Sequence, residues 1–468
     1  MKFFKHQILI VMVGLVVSLP AQQMSGPLVP FTGQWWLGVL EEASLPVNLT
    51  FCVDGGELKP VLYSPMQTKD PMPATTWSFA NDTLNISHKS SGLRLTLVWN
   101  PSDSSFDGTF RQGMLRTTMH FVPTDTLFSI VRPQTPHPPF PYTEHEVVIE
   151  RKRAKVRLAG TLTIPEGEGP FPAVVLVSGS GQQNRDEELL GHKPFLVLSD
   201  YLSRNGIAVL RCDDRGVGGS TGDVEKATTL DFADDAEAVF DFLRKQKKID
   251  RRRVGIIGHS EGGLIAPIVA SRNSKVAYIV LLAGPGSTGA DILLQQTERI
   301  LQLEGVAQPL IERRLAMLRE LYATIDTVPV KRYESYIADL FVRHTEGLDK
   351  EQCKVIGMRK GDAIAMSTEL RIPWMRTFIR LDNREYLSKV QCPILAVNGE
   401  KDCQVLPQNL DTIKQVAGKR VDTRKIEGLN HLMQHCTMGS SKEYMLIEET
   451  MSREVLEMIV EWIEKEER

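Results

Sequence analysis

From about Phe31 to Val131, apolar and polar residues alternate in short runs, as in LPVNLTFCV, LKPVLYSP, LRLTLVW, SFDGTFRQG and LRTTMHFV, separated by Gly, Asn, Asp and Ser. A period of two puts one side of a strand on a core and the other in water. The runs therefore predict a small antiparallel sandwich or barrel. RPQTPHPPFPYT (132–143) follows, with five prolines, and reads as a semi-rigid spacer. From Glu144 the rhythm changes. HEVVIE and AGTLTIP predict a hairpin, and then apolar runs alternate with helical patterns: PAVVLVSGSG, a helix near 194–205, IAVLRCDDRG, a helix near 229–246, VGIIGHSEGG, a helix over 261–272, and AYIVLLAGPG. This alternation predicts a mostly parallel sheet with helices on both faces. Residues 287–390 interrupt it with amphipathic helices such as LLQQTERILQLEGV. The rhythm resumes at CPILAVNGEKD, a helix near 407–418, DTRKIEGLNH and a closing helix at about 448–466. The expected organisation is a β-rich domain over 22–131, a linker over 132–143 and an α/β domain over 144–468, with 287–390 inserted as a helical lid.

The first residues pair Lys2 and Lys5 with an apolar run from Ile8 to Val17. That run falls short of the roughly 18–20 residues a bilayer crossing needs, so the start reads as a secretory signal peptide over 1–21. Cleavage is expected after Ala21, with Ser18 as the alternative, and the mature protein is expected to be exported, periplasmic or secreted, without stable membrane insertion. Composition adds little against this: 42% apolar, 24% charged and a net charge of −3 are ordinary for a globular protein. The basic residues form no long run, so nucleic acid is not an expected partner. The six cysteines (52, 212, 353, 392, 403, 436) show no CxxC spacing, and no metal site is expected.

The candidate chemistry starts at Gly258-His259-Ser260-Glu261-Gly262. A serine between two glycines, after an apolar strand and before a helix, is the pattern of a nucleophile elbow. The glycines keep Cβ atoms away from a strained turn that lifts the serine to the carboxyl end of the sheet, at a helix N-terminus that favours negative charge. A serine needs a base, and in sheets of this type the order is Ser, acid, His. After Ser260 the histidines are His344, in the insertion, His431, in a loop after a predicted strand, and His435. His431 is the candidate base, with His435 as competitor. Asp402, in the loop after ILAV, is the candidate acid, and Glu400 is its rival. Two N–H donors are needed for an oxyanion: the backbone of Glu261, and one in Ser178-Gly179-Ser180-Gly181, where Ser180 is preferred and Gly181 is its neighbour.

Residues 144–468 resemble the α/β-hydrolase superfamily. SGSGQQNRDE, GHKPF, LRCDDRGVGGSTG, GHSEGG, PWMRTFIRLD, LAVNGEKDCQV and GLNHLMQ are similar to a group of bacterial carboxylesterases that often carry an extra N-terminal β-rich domain. The resemblance implies an α/β-hydrolase fold and hydrolysis of small or short-acyl esters, with Ser260 as nucleophile, His431 as general base and Asp402 as the orienting acid. It departs from the group at the first loop, which has serine where histidine is common. No cofactor is needed for such a reaction, and a small ester is the expected partner. Two other readings are a serine peptidase of prolyl-oligopeptidase type and a binding module whose β domain does the binding. A propeller of the usual peptidase kind would not fit in the N-terminal hundred or so residues.

Asp213, Asp214 and Arg215 read either as an anion site or as a buried polar turn bracing the elbow. Arg185, Asp186 and His192 are expected to fix the oxyanion loop. Trp374 and Phe378, four apart on one helical face, read as lid core or as lining of an acyl pocket.

Overall fold

The computed structural model describes residues 29–40, 45–54, 57–65, 70–113, 115–125, 127–128 and 131–466. The expected signal segment lies outside them. The chain divides into two compact units, Met1–Ile130 and Val131–Arg468.

In the first unit the alternating runs become strands β1 (Trp35–Leu40), β2 (Leu45–Asp54), β3 (Glu57–Tyr63), β4 (Met72–Pro73), β5 (Thr76–Ala80), β6 (Thr83–His88), β7 (Leu93–Asn100), β8 (Ser105–Gln112) and β9 (Leu115–Thr124). They form one antiparallel sheet in the order β4-β3-β2-β1-β9-β8-β7-β6-β5. Leu93, Leu95 and Leu97 of β7 are buried while Arg94, Thr96 and Val98 are exposed, as a period of two requires. The sheet is neither a two-sheet sandwich nor a closed barrel, since β4 and β5 are its two edges. It curls instead: the Phe31 ring meets Phe51 of β2 and Phe79 of β5, at 5.3 and 5.5 Å. The physical reason is the twist of a long sheet with one apolar face, which closes that face on itself.

The second unit holds β10 (Tyr142–Arg151), β11 (Val156–Pro165), β12 (Phe171–Val177), β13 (Ala208–Cys212), β14 (Ile249–His259), β15 (Ile279–Leu282), β16 (Ile394–Gly399) and β17 (Val421–Ile426), in the order β10-β11-β13-β12-β14-β15-β16-β17. The β10–β11 and β11–β13 pairings are antiparallel, and all later ones are parallel. The inner parallel strands β14, β15 and β16 are apolar on both sides and feed two cores. Ile256, Ile279 and Ala396 pack on one face with helices α2 (Thr229–Leu243), α3 (Gly262–Arg272) and α11 (Asn409–Ala417). Ile257, Val280 and Val397 pack on the other with α1 (Pro194–Arg204) and α12 (Arg453–Glu466).

Between β15 and β16 run α4 (Gly289–Leu303), α5 (Gln308–Thr324), α6 (Tyr333–His344), α7 (Lys350–Val355), α8 (Lys360–Arg371), α9 (Pro373–Arg380) and α10 (Asn383–Leu387). They have a core of their own, built on Leu318, Leu321, Tyr333, Ile337 and Phe341. The proline-rich stretch, expected as a spacer, is held against the second unit. Arg132 donates to the Leu190 and Met445 carbonyls at 2.8 and 2.9 Å, and Gln134 donates to the Met451 carbonyl at 2.7 Å. Prolines set the direction of this segment, and its few donors decide where it lies.

Candidate active site

β14 ends in the serine turn. Ser260 has φ of +52°, a left-handed conformation that a side chain rarely adopts. Its N–H donates to the Leu282 carbonyl of β15 at 2.8 Å, and its carbonyl accepts the Gly263 N–H at 2.8 Å. Both flanking glycines are sterically required. A Cβ at Gly258 would stand 2.0 Å from the Gly262 oxygen, and one at Gly262 would stand 2.0 Å from the Val177 oxygen of β12. The turn is therefore clamped by its neighbours with Ser260 displayed at its apex, just before α3.

Asp402 lies in the loop after β16 and is 1% exposed. Its Oδ1 accepts the Gln404 and Val405 amides at 2.8 and 3.0 Å, and its Oδ2 accepts Nδ1–H of His431 at 2.8 Å. With Nδ1 protonated, Nε2 of His431 is the basic nitrogen. His431 stands in the loop after β17, whose shape is set by Asn430: its Oδ1 accepts the Leu432 and Gln434 amides, both at 3.0 Å. The other candidates are engaged elsewhere. His435 is exposed and bonds Glu449, His344 bonds Glu320 within the helical insertion, and Glu400 accepts the Gly428 amide at 3.4 Å.

A second carboxylate–imidazole pair, not singled out from the sequence, backs the first. Nε2–H of His259 donates to the His431 carbonyl at 3.0 Å, and its Nδ1 lies 2.9 Å from Glu187 Oε1. That same oxygen accepts the Gly179 N–H at 2.6 Å. A carbonyl can only accept, so Nε2 must carry a hydrogen, and the second proton of the pair lies between Nδ1 and the carboxylate. Burial pushes the His259 pKa down, but Glu187 outweighs it and holds the group above the ordinary histidine value. The signal in the sequence was the histidine beside the serine. Nothing in the local pattern marks Glu187, which arrives from 72 positions away.

The loop after β12 holds the amides expected to supply a second N–H. Gly179 spends its amide on Glu187, which leaves Ser180 and Gly181. Neither the Ser180 nor the Glu261 amide has an acceptor among the described residues. The loop is braced from below by Asp214, whose Oδ1 accepts the Ser178 hydroxyl at 3.2 Å and whose Oδ2 accepts the Gln183 amide at 3.1 Å. Burial pushes the Asp214 carboxyl up to about 8. Arg185 bonds both oxygens of Asp213 and reaches Glu146 of β10, and Arg215 bonds Asp235 and Asp231, so the charges of this polar turn are taken up by pairs within the unit. His192 is fully buried between the Thr450 hydroxyl and the Tyr444 carbonyl, and burial lowers it to about 4.

Trp374 and Phe378 of α9 part company. Phe378 is buried in the main core, stacked under Trp374 at 5.2 Å. Of the two, Trp374 lines the cavity beside the loop after β12, a space of about 680 Å³ shared with Ser180, Gly181, Glu225, Phe232, Arg371 and Ile372. Phe378 is too deep to touch a ligand there, because the i and i+4 rings stack on each other and only the first faces outward. Among the described residues no cluster of His, Cys, Asp and Glu is placed to hold a metal, and no helix is long and apolar enough to cross a membrane.

An eight-stranded sheet with a strained serine turn at its centre and a buried Asp–His pair two strands along defines a serine hydrolase of the α/β-hydrolase class. The family comparison agrees. The profile of the X-Pro dipeptidyl-peptidase (S15) family matches residues 154–437, and the chain belongs to that family. Esterase EstD of Thermotoga maritima is 29% identical over 330 residues, 69% of each chain. An uncharacterized 31.7 kDa protein from the traX-finO intergenic region of Escherichia coli is 24% identical over 52% of this chain and 77% of its own. Among solved structures, a Pyrococcus furiosus esterase has a TM-score of 0.40 at 14% identity, over 69% of this chain and 93% of that one.

Proposed function

We propose that the protein is an exported serine carboxylesterase acting on small or short-acyl esters through an acyl-enzyme. In this reading His431 Nε2 takes the Ser260 proton as Oγ attacks the ester carbonyl. The Ser180 and Glu261 amides hold the oxyanion, and the imidazolium, steadied by Asp402, protonates the leaving alcohol. Water then repeats the cycle on the acyl-enzyme. The helical insertion acts as a lid that narrows the entrance and dries the pocket.

One observation carries ester over peptide. The cavity walls at Phe232, Ile372, Pro373 and Trp374 are apolar, and the buried carboxyl behind them, Glu261, is taken up by the Thr229 hydroxyl and the Trp374 indole N–H. The charged residues of the wall, Glu225 and Arg371, are exposed and of opposite sign, so among the described lining residues a peptide's ammonium group meets no buried carboxylate left free. The similarity to Esterase EstD supports the same reading. The family's name favours the second reading, a peptidase releasing Xaa-Pro dipeptides. A panel of p-nitrophenyl esters and Xaa-Pro anilides, run on wild type and on Ser260→Ala, separates them. Acetyl to hexanoyl esters should turn over and anilides should barely be cut. An Xaa-Pro anilide cleaved as fast as a butyrate ester would establish the peptidase instead.

A further inference from the structure

The Glu261 carboxyl is buried, yet its hydrogen-bond partners are neutral donors from three separate elements. The Thr229 hydroxyl at the start of α2 donates to Oε1 at 2.6 Å, the Trp374 indole N–H of α9 donates to the same oxygen at 2.7 Å, and the Ser180 hydroxyl of the oxyanion loop bonds the group as well. A buried bond of this kind fixes where the indole lies. Phe378 stacks under it with planes 18° from parallel and is itself buried, so the indole can neither tip nor sink. Trp374 lines the cavity of about 680 Å³ whose wall also includes Ser180 and Gly181. The cavity thus reaches the loop that, in the esterase reading, holds the carbonyl oxygen of a bound ester. An acetyl or butyryl chain leaves most of this space unfilled.

We propose that the locked indole is a platform for a planar apolar group of the substrate, so that the preferred esters carry an aromatic ring one or two bonds from the ester group. This deepens the esterase reading and rests on it. A ring laid on a fixed indole gains offset stacking beyond its buried area, corresponding to about three- to tenfold in affinity over a puckered hydrocarbon of equal size. The platform is already ordered, so little of that gain is lost in ordering the protein. Glu261 is then a positioning residue, acting through Trp374.

Matched pairs test this, because each pair keeps the apolar size and the basicity of the leaving alkoxide nearly constant and changes the planarity of one ring. Benzyl acetate against cyclohexylmethyl acetate probes the alcohol side, and methyl phenylacetate against methyl cyclohexylacetate probes the acyl side. In wild type, kcat/KM should favour the planar member by about three- to tenfold on at least one side. Trp374→Leu should bring the ratio near one. Glu261→Leu should do the same by releasing the indole, while Glu261→Gln should keep the ratio, since a single carbonyl oxygen accepts both donors. Equal turnover of both members in wild type, or a preference that survives Trp374→Leu, overturns the proposal. Equilibrium binding of the same esters to Ser260→Ala separates this from the esterase reading. A planar preference in Kd there supports the platform whatever the chemistry, and its absence refutes the platform. Undiminished turnover by Ser260→Ala refutes the esterase mechanism alone.

Discussion

Two carboxylate–imidazole pairs stand back to back at the site, their rings 4.9 Å apart. In the proposed mechanism the outer pair, Asp402–His431, does the proton transfer. Ser260→Ala and His431→Ala should each lower kcat by several orders of magnitude with the fold intact, and Asp402→Asn should be severe because an amide favours the wrong tautomer of His431. His435→Ala, on an exposed side chain bound to Glu449, should change turnover little, and equal damage from it would displace His431 as the base. The inner pair, Glu187–His259, ties the oxyanion loop to the His431 loop. A histidine whose pKa is raised by folding adds stability that is full below its unfolded value and is lost as pH rises through the folded one. Glu187→Gln should therefore lower the Tm more at pH 5.5 than at pH 9. A Tm deficit that does not vary with pH would show that the pair is not ionic. His192 has the opposite sign: its value of about 4 means that the unfolded chain binds its proton first. Through this residue stability should be full only well above pH 6.5 and should be lower by about 2 kcal/mol at pH 5. His192→Gln should flatten that loss in urea unfolding at the two pH values.

At the scale of elements, the serine turn is a contact between three strands and a helix. Gly262 sits where α3 begins, and the β12 backbone passes so close that only hydrogen fits. Gly262→Ala forces β12 and α3 apart and should destabilise the second unit by about 1–3 kcal/mol, read as a drop in its melting temperature. The helical insertion is held together within itself by the same kind of contact. A Cβ on Gly289, at the start of α4, would meet the Phe378 carbonyl of α9 at 1.9 Å. Gly289→Ala should thus disturb the α9 platform while leaving the sheet cores intact, visible as altered ester selectivity at nearly constant far-UV circular dichroism. No sequence period reports such contacts, because they depend on how closely two elements cross.

At the scale of the molecule, every residue assigned to the site lies in the second unit, which begins at Val131. We expect a chain starting at Val131 to hydrolyse a small soluble ester. One starting at Pro141 loses the Arg132 and Gln134 bonds to the segments at 190, 445 and 451, and it should melt several degrees lower. Equal melting of the two would mean that the proline-rich stretch contributes nothing to that unit.

What the amino-acid order determined by itself was whatever depends on local period and local geometry. Alternation of two marked the strands of the first unit, and continuous apolar runs between helical patterns marked the parallel sheet of the second, because burial imposes those patterns within a few residues. Gly-x-Ser-x-Gly marked the turn for the same reason, since its constraint lies in its own backbone. The loop positions of Asp402 and His431 were legible from the strands before them. Only the tertiary structure decided what depends on elements meeting from far apart in the chain. Glu187 reaches His259 across 72 positions and Trp374 reaches Glu261 across 113, and neither pairing leaves a local trace. The curl of the N-terminal sheet, the docking of residues 132–143 and the burial of Phe378 beneath Trp374 belong to the same class. Each is set by which surfaces are left to be covered once the strands and helices have formed.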